Sequence, residues 1–189
     1  DFMHAKRFGY EREAKTFLEY YLSAEEAGEV LNNTNGYYWR NRWFKPKHKE
    51  EVKVYYSTRG ALRTYVHQIP EDASGDSLTQ DNALNAAQFF LVGTMGIDIQ
   101  DWELIESKTE KLKNRWDHEF EWKERSFNIK ESNHILTVKV QGDQIGYYNE
   151  QIKVPESWRL KYEKIRSKNN LLESIGFTGL FIAIIIIFI

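Results

Sequence analysis

Residues 116–127 read WDHEFEWKERSF, and this stretch decides the class of the fold. Aromatic and acidic residues alternate along it. The aromatic set is His118, Phe120 and Trp122, and the acidic set is Asp117, Glu119 and Glu121. Successive side chains of a β-strand point to opposite faces, so this period of two predicts a strand with one packed face. Antiparallel sheets commonly leave the other face in water. The stretch therefore predicts an antiparallel sheet that is covered on one side.

Further strands are predicted on both sides of this stretch by β-branched and aromatic content and by turn residues. They comprise two hairpins, 52–56 with 62–69 and 135–140 with 145–154, and the single strands 37–44 and 102–109. Two amphipathic helices complete the pattern. Residues 10–31 carry apolar side chains at helical spacing. Thr79 is a good N-cap for a second helix, whose apolar stripe is Ala83, Ala86, Ala87, Phe90 and Leu91.

The order helix, strand, hairpin, proline occurs twice, and three short matches favour an internal repeat. They are Ala14 to Leu22 with Ala83 to Leu91, Asn41-Arg42-Trp43 with Asn114-Arg115-Trp116, and Ile69-Pro70-Glu71 with Val154-Pro155-Glu156. We therefore expect an α+β fold with two tandem helix-plus-antiparallel-sheet repeats, residues 1–78 and 79–157.

The C-terminal residues have a different composition from the rest of the chain. Residues 176–189 read GFTGLFIAIIIIFI and contain no charge. A membrane-spanning helix needs about 20 apolar residues. We expect 176–189 to be the start of a truncated transmembrane helix, with a buried helix as the alternative. The first residue is Asp1 rather than Met, so both ends are expected to be cut points.

Residues 158–175 are expected to form a juxtamembrane helix that enters the membrane. Aromatic and basic side chains beside a span are typical interface anchors. Those predicted here are Trp158, Arg159, Lys161, Lys164, Arg166 and Lys168. A solvated helix face is the alternative. The basic flank favours the cytoplasm by the positive-inside rule, but long domains translocate despite their charge, and we expect the extracytoplasmic side.

Composition excludes several classes of function. The formal net charge is −2, with 26 Lys+Arg and 28 Asp+Glu, so the sequence predicts no nucleic-acid partner. The chain has no Cys, which excludes disulfides, thiolate metal sites and Cys nucleophiles. None of the 5 histidines has the helical spacing of a zinc site, and core packing is the favoured role of His118. We predict no catalytic, metal or cofactor residue in this chain.

Aromatic residues on the predicted strands are the best candidates for a binding surface. The candidates are Tyr37, Trp39, Trp43, Trp116, Trp122 and Tyr147. A groove for a peptide or lipid chain, or contact with the membrane interface, is the functional interpretation. Ordinary packing and cross-strand pairing within the sheet is the alternative.

Five segments are similar to a known family: YYWRNRWFKPKHKEEVKV (37–54), HQIPEDASGDSLTQDNAL (67–84), KNRWDHEFEWKERSF (113–127), VQGDQIGYYNEQIKVPESW (140–158) and RSKNN (166–170). They resemble the N-terminal extramembrane region of bacterial CAAX-protease-like (CPBP) intramembrane metalloproteases. The resemblance implies catalysis by a Glu-Glu-x-x-x-Arg motif and two His motifs in later transmembrane helices. Glu25-Glu26 is followed at that spacing by Val30, and Glu50-Glu51 by Tyr55, so no catalytic residue transfers to this chain.

The resemblance implies a non-catalytic domain of a bacterial inner-membrane protease that presents or regulates substrate. Its partners would be the lipid bilayer, its own transmembrane domain and a peptide substrate. A divalent metal, zinc in this family, is expected only in that transmembrane part. By fold analogy, the helix-plus-sheet repeat is similar to PepSY or cystatin-like modules. The alternative is a membrane-tethered peptide- or lipid-binding sensor unrelated to proteolysis. A third hypothesis, a hydrolase in its own right, is disfavoured by the scattered polar residues.

Overall fold

The structure is a computed structural model that describes residues 2–47 and 50–188, with the backbone alone for Gln68 and residues 175–188. The first half of the chain forms β1 (Met3–Tyr10), α1 (Arg12–Tyr21), α2 (Ala24–Asn33), β2 (Tyr37–Phe44), β3 (Glu51–Ser57) and β4 (Leu62–Gln68). The second half forms α3 (Gln80–Phe89), which continues as a π-helical turn (Phe90–Thr94), then a 3-10 turn (Ile99–Asp101), β5 (Trp102–Lys111), β6 (Trp116–Glu124), β7 (Asn133–Gln141), β8 (Gln144–Lys153) and α4 (Glu156–Phe188).

One antiparallel sheet of eight strands organises the described residues, in the order β1-β2-β3-β4-β8-β7-β6-β5. The predicted α+β class is therefore confirmed. Each half of the chain contributes four adjacent strands, and the halves meet where β4 pairs with β8. That junction has three residue pairs, Thr64 to Val66 against Asn149 to Tyr147. The outer edges of the sheet are β1 and β5.

The two halves differ in the position of their outer strands along the chain. β1 comes before the helices of the first half, whereas β5 follows α3 in the second. The Asn-Arg-Trp sequences also lie at different places: Asn41-Arg42-Trp43 is inside β2, and Trp116 is the first residue of β6. The two prolines of the repeat, Pro70 and Pro155, follow β4 and β8, the two strands that meet at the junction.

The single helix expected over residues 10–31 is two helices preceded by a strand. Ser23 causes the break, because it forms a capping box at the start of α2. The backbone N–H of Glu26 donates to Ser23 Oγ (3.2 Å), and the backbone N–H of Ser23 donates to Glu26 Oε2 (2.9 Å). A reciprocal cap satisfies two donors that a new helix leaves unpaired. Residue 10 itself belongs to β1, not to a helix.

The core lies between α3 and one face of β6, β7 and β8, as the alternation in residues 116–127 predicted. Three small or apolar residues of α3 and its π-helical turn, Ala83, Ala87 and Leu91, belong to this buried cluster. The strands contribute Phe120, Trp122, Leu136, Val138, Val140 and Tyr148. We call this side of the sheet the α3-side face and the opposite side the reverse face. Residues directly opposite each other on neighbouring strands share a face, so both names extend along the sheet to β1.

Residues 1–153 form one compact unit and residues 154–189 a second. The second unit contains α4, in which the rings of Trp158 and Tyr162 stack with centroids 4.9 Å apart. No helix in the described part of the chain is both long and apolar enough to cross a membrane. The expected transmembrane start, 176–189, falls on residues whose side chains lie outside the described set.

Candidate functional site at the β1 edge

The outer edge at β5 is built to resist pairing. Its register with β6 shifts between Leu104 and Glu106, which marks a bulge. Its side chains mix both signs of charge, and Lys108 pairs with Glu106 at 2.9 Å. Bulges and charged side chains are the usual devices that protect an edge strand from a further strand. The β5 edge is therefore closed to regular strand addition.

The outer edge at β1 has no bulge, although it carries the exposed charged residues Lys6 and Arg7. β1 pairs with β2 in eight consecutive rungs, from Met3↔Phe44 to Tyr10↔Tyr37, without a register shift. Every residue of β1 except Gly9 is exposed. On an antiparallel edge, alternate residues turn their N–H and C=O groups away from the neighbouring strand. No second strand among the described residues pairs with β1, so these groups face outward along eight residues.

Aromatic side chains form rows on the α3-side face beside this edge. Phe8, Trp39 and Tyr56 are cross-strand neighbours on β1, β2 and β3, and they are 46%, 41% and 43% exposed. The rings of Phe8 and Trp39 meet edge to face at 5.3 Å, and Lys6 Nζ lies 4.8 Å from the Trp39 ring centroid. An exposed group of large apolar side chains marks an interaction surface more often than single exposed residues do.

Two further aromatic pairs extend this surface along the strands. His4 stacks on Trp43 with ring centroids 4.8 Å apart, and Tyr10 lies 6.4 Å from Tyr37. The period of two in β2 places Tyr37, Trp39 and Trp43 on the same face. Three of the six sequence-predicted aromatics are therefore brought together here.

Arginine side chains occupy the reverse face of the same edge. Arg7 and Arg40 are cross-strand partners. The Arg40 side chain passes across Gly9, where a Cβ would lie 2.7 Å from Arg40 Nε. Its Nη2 donates to the Tyr38 hydroxyl at 3.0 Å. Gly9 thus leaves the space that lets Arg40 reach over the edge strand.

The edge carries positive charge and no negative charge. β1 and β2 contain Lys6, Arg7, Arg40 and Arg42, and neither strand contains Asp or Glu. Glu51 of β3 binds Arg42 Nε at 2.7 Å, whereas no carboxylate in the described residues pairs with Arg7 or Arg40. Sequence reasoning missed this feature because the whole-chain charge is nearly balanced. The sequence signal was the lack of Asp and Glu in residues 2–10 and 37–47.

The other three predicted aromatics lie elsewhere. Trp122 was one of the groove candidates, but it is buried in the core, as the packing alternative had it, because its position on β6 faces α3. Trp116 begins β6 with Lys111 Nζ 4.2 Å from its ring centroid. Tyr147 is on the reverse face of β8. The six aromatics therefore do not line one groove.

Tyr147 contributes to a cleft of about 360 Å³ on the reverse face. Glu119, Glu121, Lys139 and Gln151 line it with Tyr147. Burial raises the pKa of the Tyr147 hydroxyl, with Glu119 acting in the same direction. Glu121 accepts from Lys153 Nζ at 3.3 Å. Glu119, Glu121 and Lys139 line this cleft, so side chains of both signs of charge face it.

A buried ionic network lies near the junction of the two half-sheets. Arg63 pairs with Glu11, and Glu11 Oε2 accepts the backbone N–H of Ile152 at 3.2 Å. His134 contacts Glu124 through Nδ1 (2.7 Å) and Glu150 through Nε2 (3.0 Å). Each ring nitrogen faces a different carboxylate, so this arrangement bridges strands. Desolvation raises the pKa of Glu11, against the opposing effect of Arg63.

The remaining histidine in the interior, His118, is packed as expected. Its Nδ1 lies 3.0 Å from Thr109 Oγ1 and its Nε2 lies 2.9 Å from the Leu78 carbonyl oxygen. Within the described residues, no group of three or more His, Cys, Asp or Glu side chains is arranged to hold a metal ion. We assign no metal chemistry to these side chains.

Comparison with known proteins adds no family assignment. No family model matches the chain, and no curated protein or solved structure matches it at a significant level.

Proposed function

We propose that this chain is a non-catalytic extramembrane module that holds an extended peptide along β1 and presents it to a membrane-integrated protease of the CAAX type. The observation that carries the proposal is the β1 edge, which is regular over eight residues, exposed and unpaired among the described strands. An extended peptide can add to such an edge as a further strand.

In this proposal, main-chain hydrogen bonds hold the peptide, and the side chains beside the edge select its sequence. A peptide antiparallel to β1 would satisfy the outward N–H and C=O groups that water satisfies in the free protein. Its alternate side chains would lie on the two faces of the sheet. The aromatic rows at Phe8 and Tyr10 provide apolar contacts on the α3-side face. This mode binds a substrate in extended form, as a peptidase requires, without any reacting group on the module.

The link to a protease rests on the five segments that resemble the CAAX-protease-like family. In this proposal the catalytic residues and the divalent metal belong to a membrane part of the whole protein, and this chain supplies neither. α4 would tether the module to a bacterial inner membrane, with Trp158, Arg159 and Lys161 among its interface anchors. Residues 1–157 would lie outside the cytoplasm.

Reading the gene beyond residue 189 tests the link. We expect further hydrophobic segments that carry Glu-Glu-x-x-x-Arg and two separate His motifs. A stop codon within a few residues would remove the protease from the proposal. A reporter fused at the exposed Glu71 turn tests the side of the membrane, and activity only of a cytoplasmic reporter would contradict the extracytoplasmic placement.

Hydrogen exchange tests the peptide site directly. The full chain is held in one nonionic detergent, with and without an eight-residue peptide of alternating Ser and Val. Slower exchange confined to the amides of β1 is the expected result, because a bound strand would protect the outward N–H groups. Unchanged β1 exchange at millimolar peptide would contradict the proposal.

Two proline variants, Ala5→Pro and Lys6→Pro, provide a matched control. Adjacent residues alternate between inward and outward N–H groups, so only one variant loses a hydrogen bond to β2. The variant with the smaller loss of thermal stability identifies the outward position. That variant should lose peptide binding while it remains folded. Retained binding in this folded variant would argue against strand addition.

A further inference from the structure

We propose that the peptide accepted along β1 is acidic, with Asp or Glu side chains on the reverse face alternating with apolar side chains on the α3-side face. This inference rests on the proposed function and names the class of its substrate. Its basis is the different chemistry of the two faces of one edge.

The reverse face supplies the positive charge. Arg7 is exposed on β1, and Arg40 reaches over Gly9 from the neighbouring strand. A residue of an added strand on this face would lie about 5 Å from the edge residue opposite it. Acidic side chains there come within reach of both guanidinium groups. Arg–carboxylate pairs can form two parallel hydrogen bonds, which gives them geometric selectivity.

The α3-side face supplies apolar contacts. Phe8 and Tyr10 stand on β1 itself, with Trp39 and Tyr37 behind them on β2. An added strand would place every second side chain against these rings. Aromatic pairs with aliphatic or aromatic cross-strand neighbours stabilise a sheet. On the α3-side face, Lys6 Nζ lies over the Trp39 ring, among the aromatic side chains. Two guanidinium groups on the reverse face and these rings on the α3-side face therefore predict an alternating acidic and apolar sequence.

A second copy of this chain fits the edge poorly. β1 runs from Met3 to Tyr10, so its centre lies between Lys6 and Arg7. Residues directly opposite each other share a face, so a symmetric antiparallel pair of β1 strands about this centre would place Lys6 opposite Lys6, or Arg7 opposite Arg7, of the other copy. Like charges directly opposite are destabilising in a sheet. Arg7, which attracts an acidic strand, therefore disfavours one of these dimers, and Lys6 disfavours the other.

The edge also favours a peptide over a lipid surface or a single-stranded nucleic acid. Aromatic and basic side chains alone would suit either of those partners. A lipid surface would leave the outward N–H and C=O groups of β1 without partners, whereas an extended peptide satisfies them in register. β1 pairs with β2 over eight residues without a register shift, and this regular edge favours a peptide strand over the other two partners.

Three eight-residue peptides test the inference with the full chain in one nonionic detergent: alternating Glu and Val, alternating Ser and Val, and alternating Lys and Val. We expect the Glu–Val peptide to bind about tenfold more tightly than the Lys–Val peptide. The difference should shrink in about 0.5 M NaCl, because salt screens exposed charges. Arg7→Glu should abolish or reverse the preference. Lys108→Glu makes the same change of charge at an exposed position on the β5 edge and should leave the preference unchanged.

The outcomes separate this inference from the proposed function. Equal binding of the three peptides would overturn the acidic preference and leave the peptide module standing. No binding of any peptide would overturn both. Binding of phosphatidylglycerol vesicles or oligo-dT that is lost in Arg7→Glu, with no peptide binding, would assign the edge to a lipid or nucleic-acid partner. A concentration-dependent dimer that Arg7→Glu dissociates would assign it to a second copy.

Discussion

The backbone N–H of Ile152 donates to Oε2 of Glu11, and this 3.2 Å hydrogen bond joins two residues 141 positions apart. Ile152 is near the end of β8, beyond the three residue pairs that connect β8 to β4. Glu11 precedes α1, and its own backbone N–H donates to the Gly36 carbonyl oxygen at 2.9 Å. One side chain therefore connects the start of α1 with the short junction of the sheet.

Glu11→Gln tests how much this connection stabilises the fold. The substitution leaves Arg63 buried without its carboxylate, and removal of one partner of a buried ion pair costs about 3–5 kcal/mol. We expect a loss of that size in the free energy of unfolding, measured by urea denaturation. Glu13→Gln, an exposed change in the first turn of α1, should cost less than about 1 kcal/mol. Equal effects of the two variants would contradict the role assigned to Glu11.

His134 makes stability depend on pH in a defined window. Burial lowers its pKa, but the hydrogen bonds with Glu124 and Glu150 outweigh burial and raise the pKa from 6.5 to about 9. The folded state therefore holds this proton more tightly than the unfolded state. The resulting stabilisation, about 3 kcal/mol, is fully present below pH 6.5 and is lost as the pH rises through 9.

His134→Gln should remove most of that pH dependence between 6.5 and 9. His67→Gln is the control, since His67 is more exposed and contacts a single carboxylate, Glu50. The measurement is the urea midpoint at several pH values for the three proteins. If the pH dependence of the urea midpoint remained in His134→Gln and disappeared in His67→Gln, the assignment of this titration to His134 would be wrong.

Much of the fold was predictable from local pattern. β6 to β8 and α3 each bury at least one face and so show a period in the sequence, and β2 to β5 were predicted from β-branched and aromatic content and from turn residues. β1 was missed for the opposite reason. Both of its faces are exposed, so MHAKRFGY shows no alternation that burial would impose. The break at Ser23 was missed because the apolar spacing continues across it.

The candidate site was predictable only in part. Alternation in β2 correctly places Tyr37, Trp39 and Trp43 on one face, but it does not reveal which strand lies next to them. β1 and β2 are separated in sequence by α1 and α2, so their shared positive charge appears only after folding. Trp122 was placed among the groove candidates because an alternating aromatic residue is expected both in a core and in a groove.

Two neighbouring residues after α3 differ in burial and should differ in their effect on stability. Leu91 is fully buried, and Val92 is 50% exposed. Leu91→Ala should lower the free energy of unfolding by about 2–5 kcal/mol, because it removes buried surface and leaves a cavity. Val92→Ala should change it by less than about 0.5 kcal/mol. Urea denaturation measures both, and similar losses would mean that the π-helical turn is oriented differently from the structure.

Gly9→Ala tests the path of Arg40 across the edge strand. The new Cβ would meet Arg40 Nε at 2.7 Å, so the guanidinium group must leave its position beside Tyr38. We expect the Glu–Val peptide to lose about threefold in affinity while the Ser–Val peptide binds as before, since only the charge contact moves. The control is Gly28→Ala in α2, where a Cβ meets nothing within 4 Å. That change should raise stability by about 0.5–1 kcal/mol through helix propensity and leave both affinities unchanged. An equal loss for both peptides in Gly9→Ala would show that the edge strand itself had been distorted, and would remove Arg40 from the acidic preference.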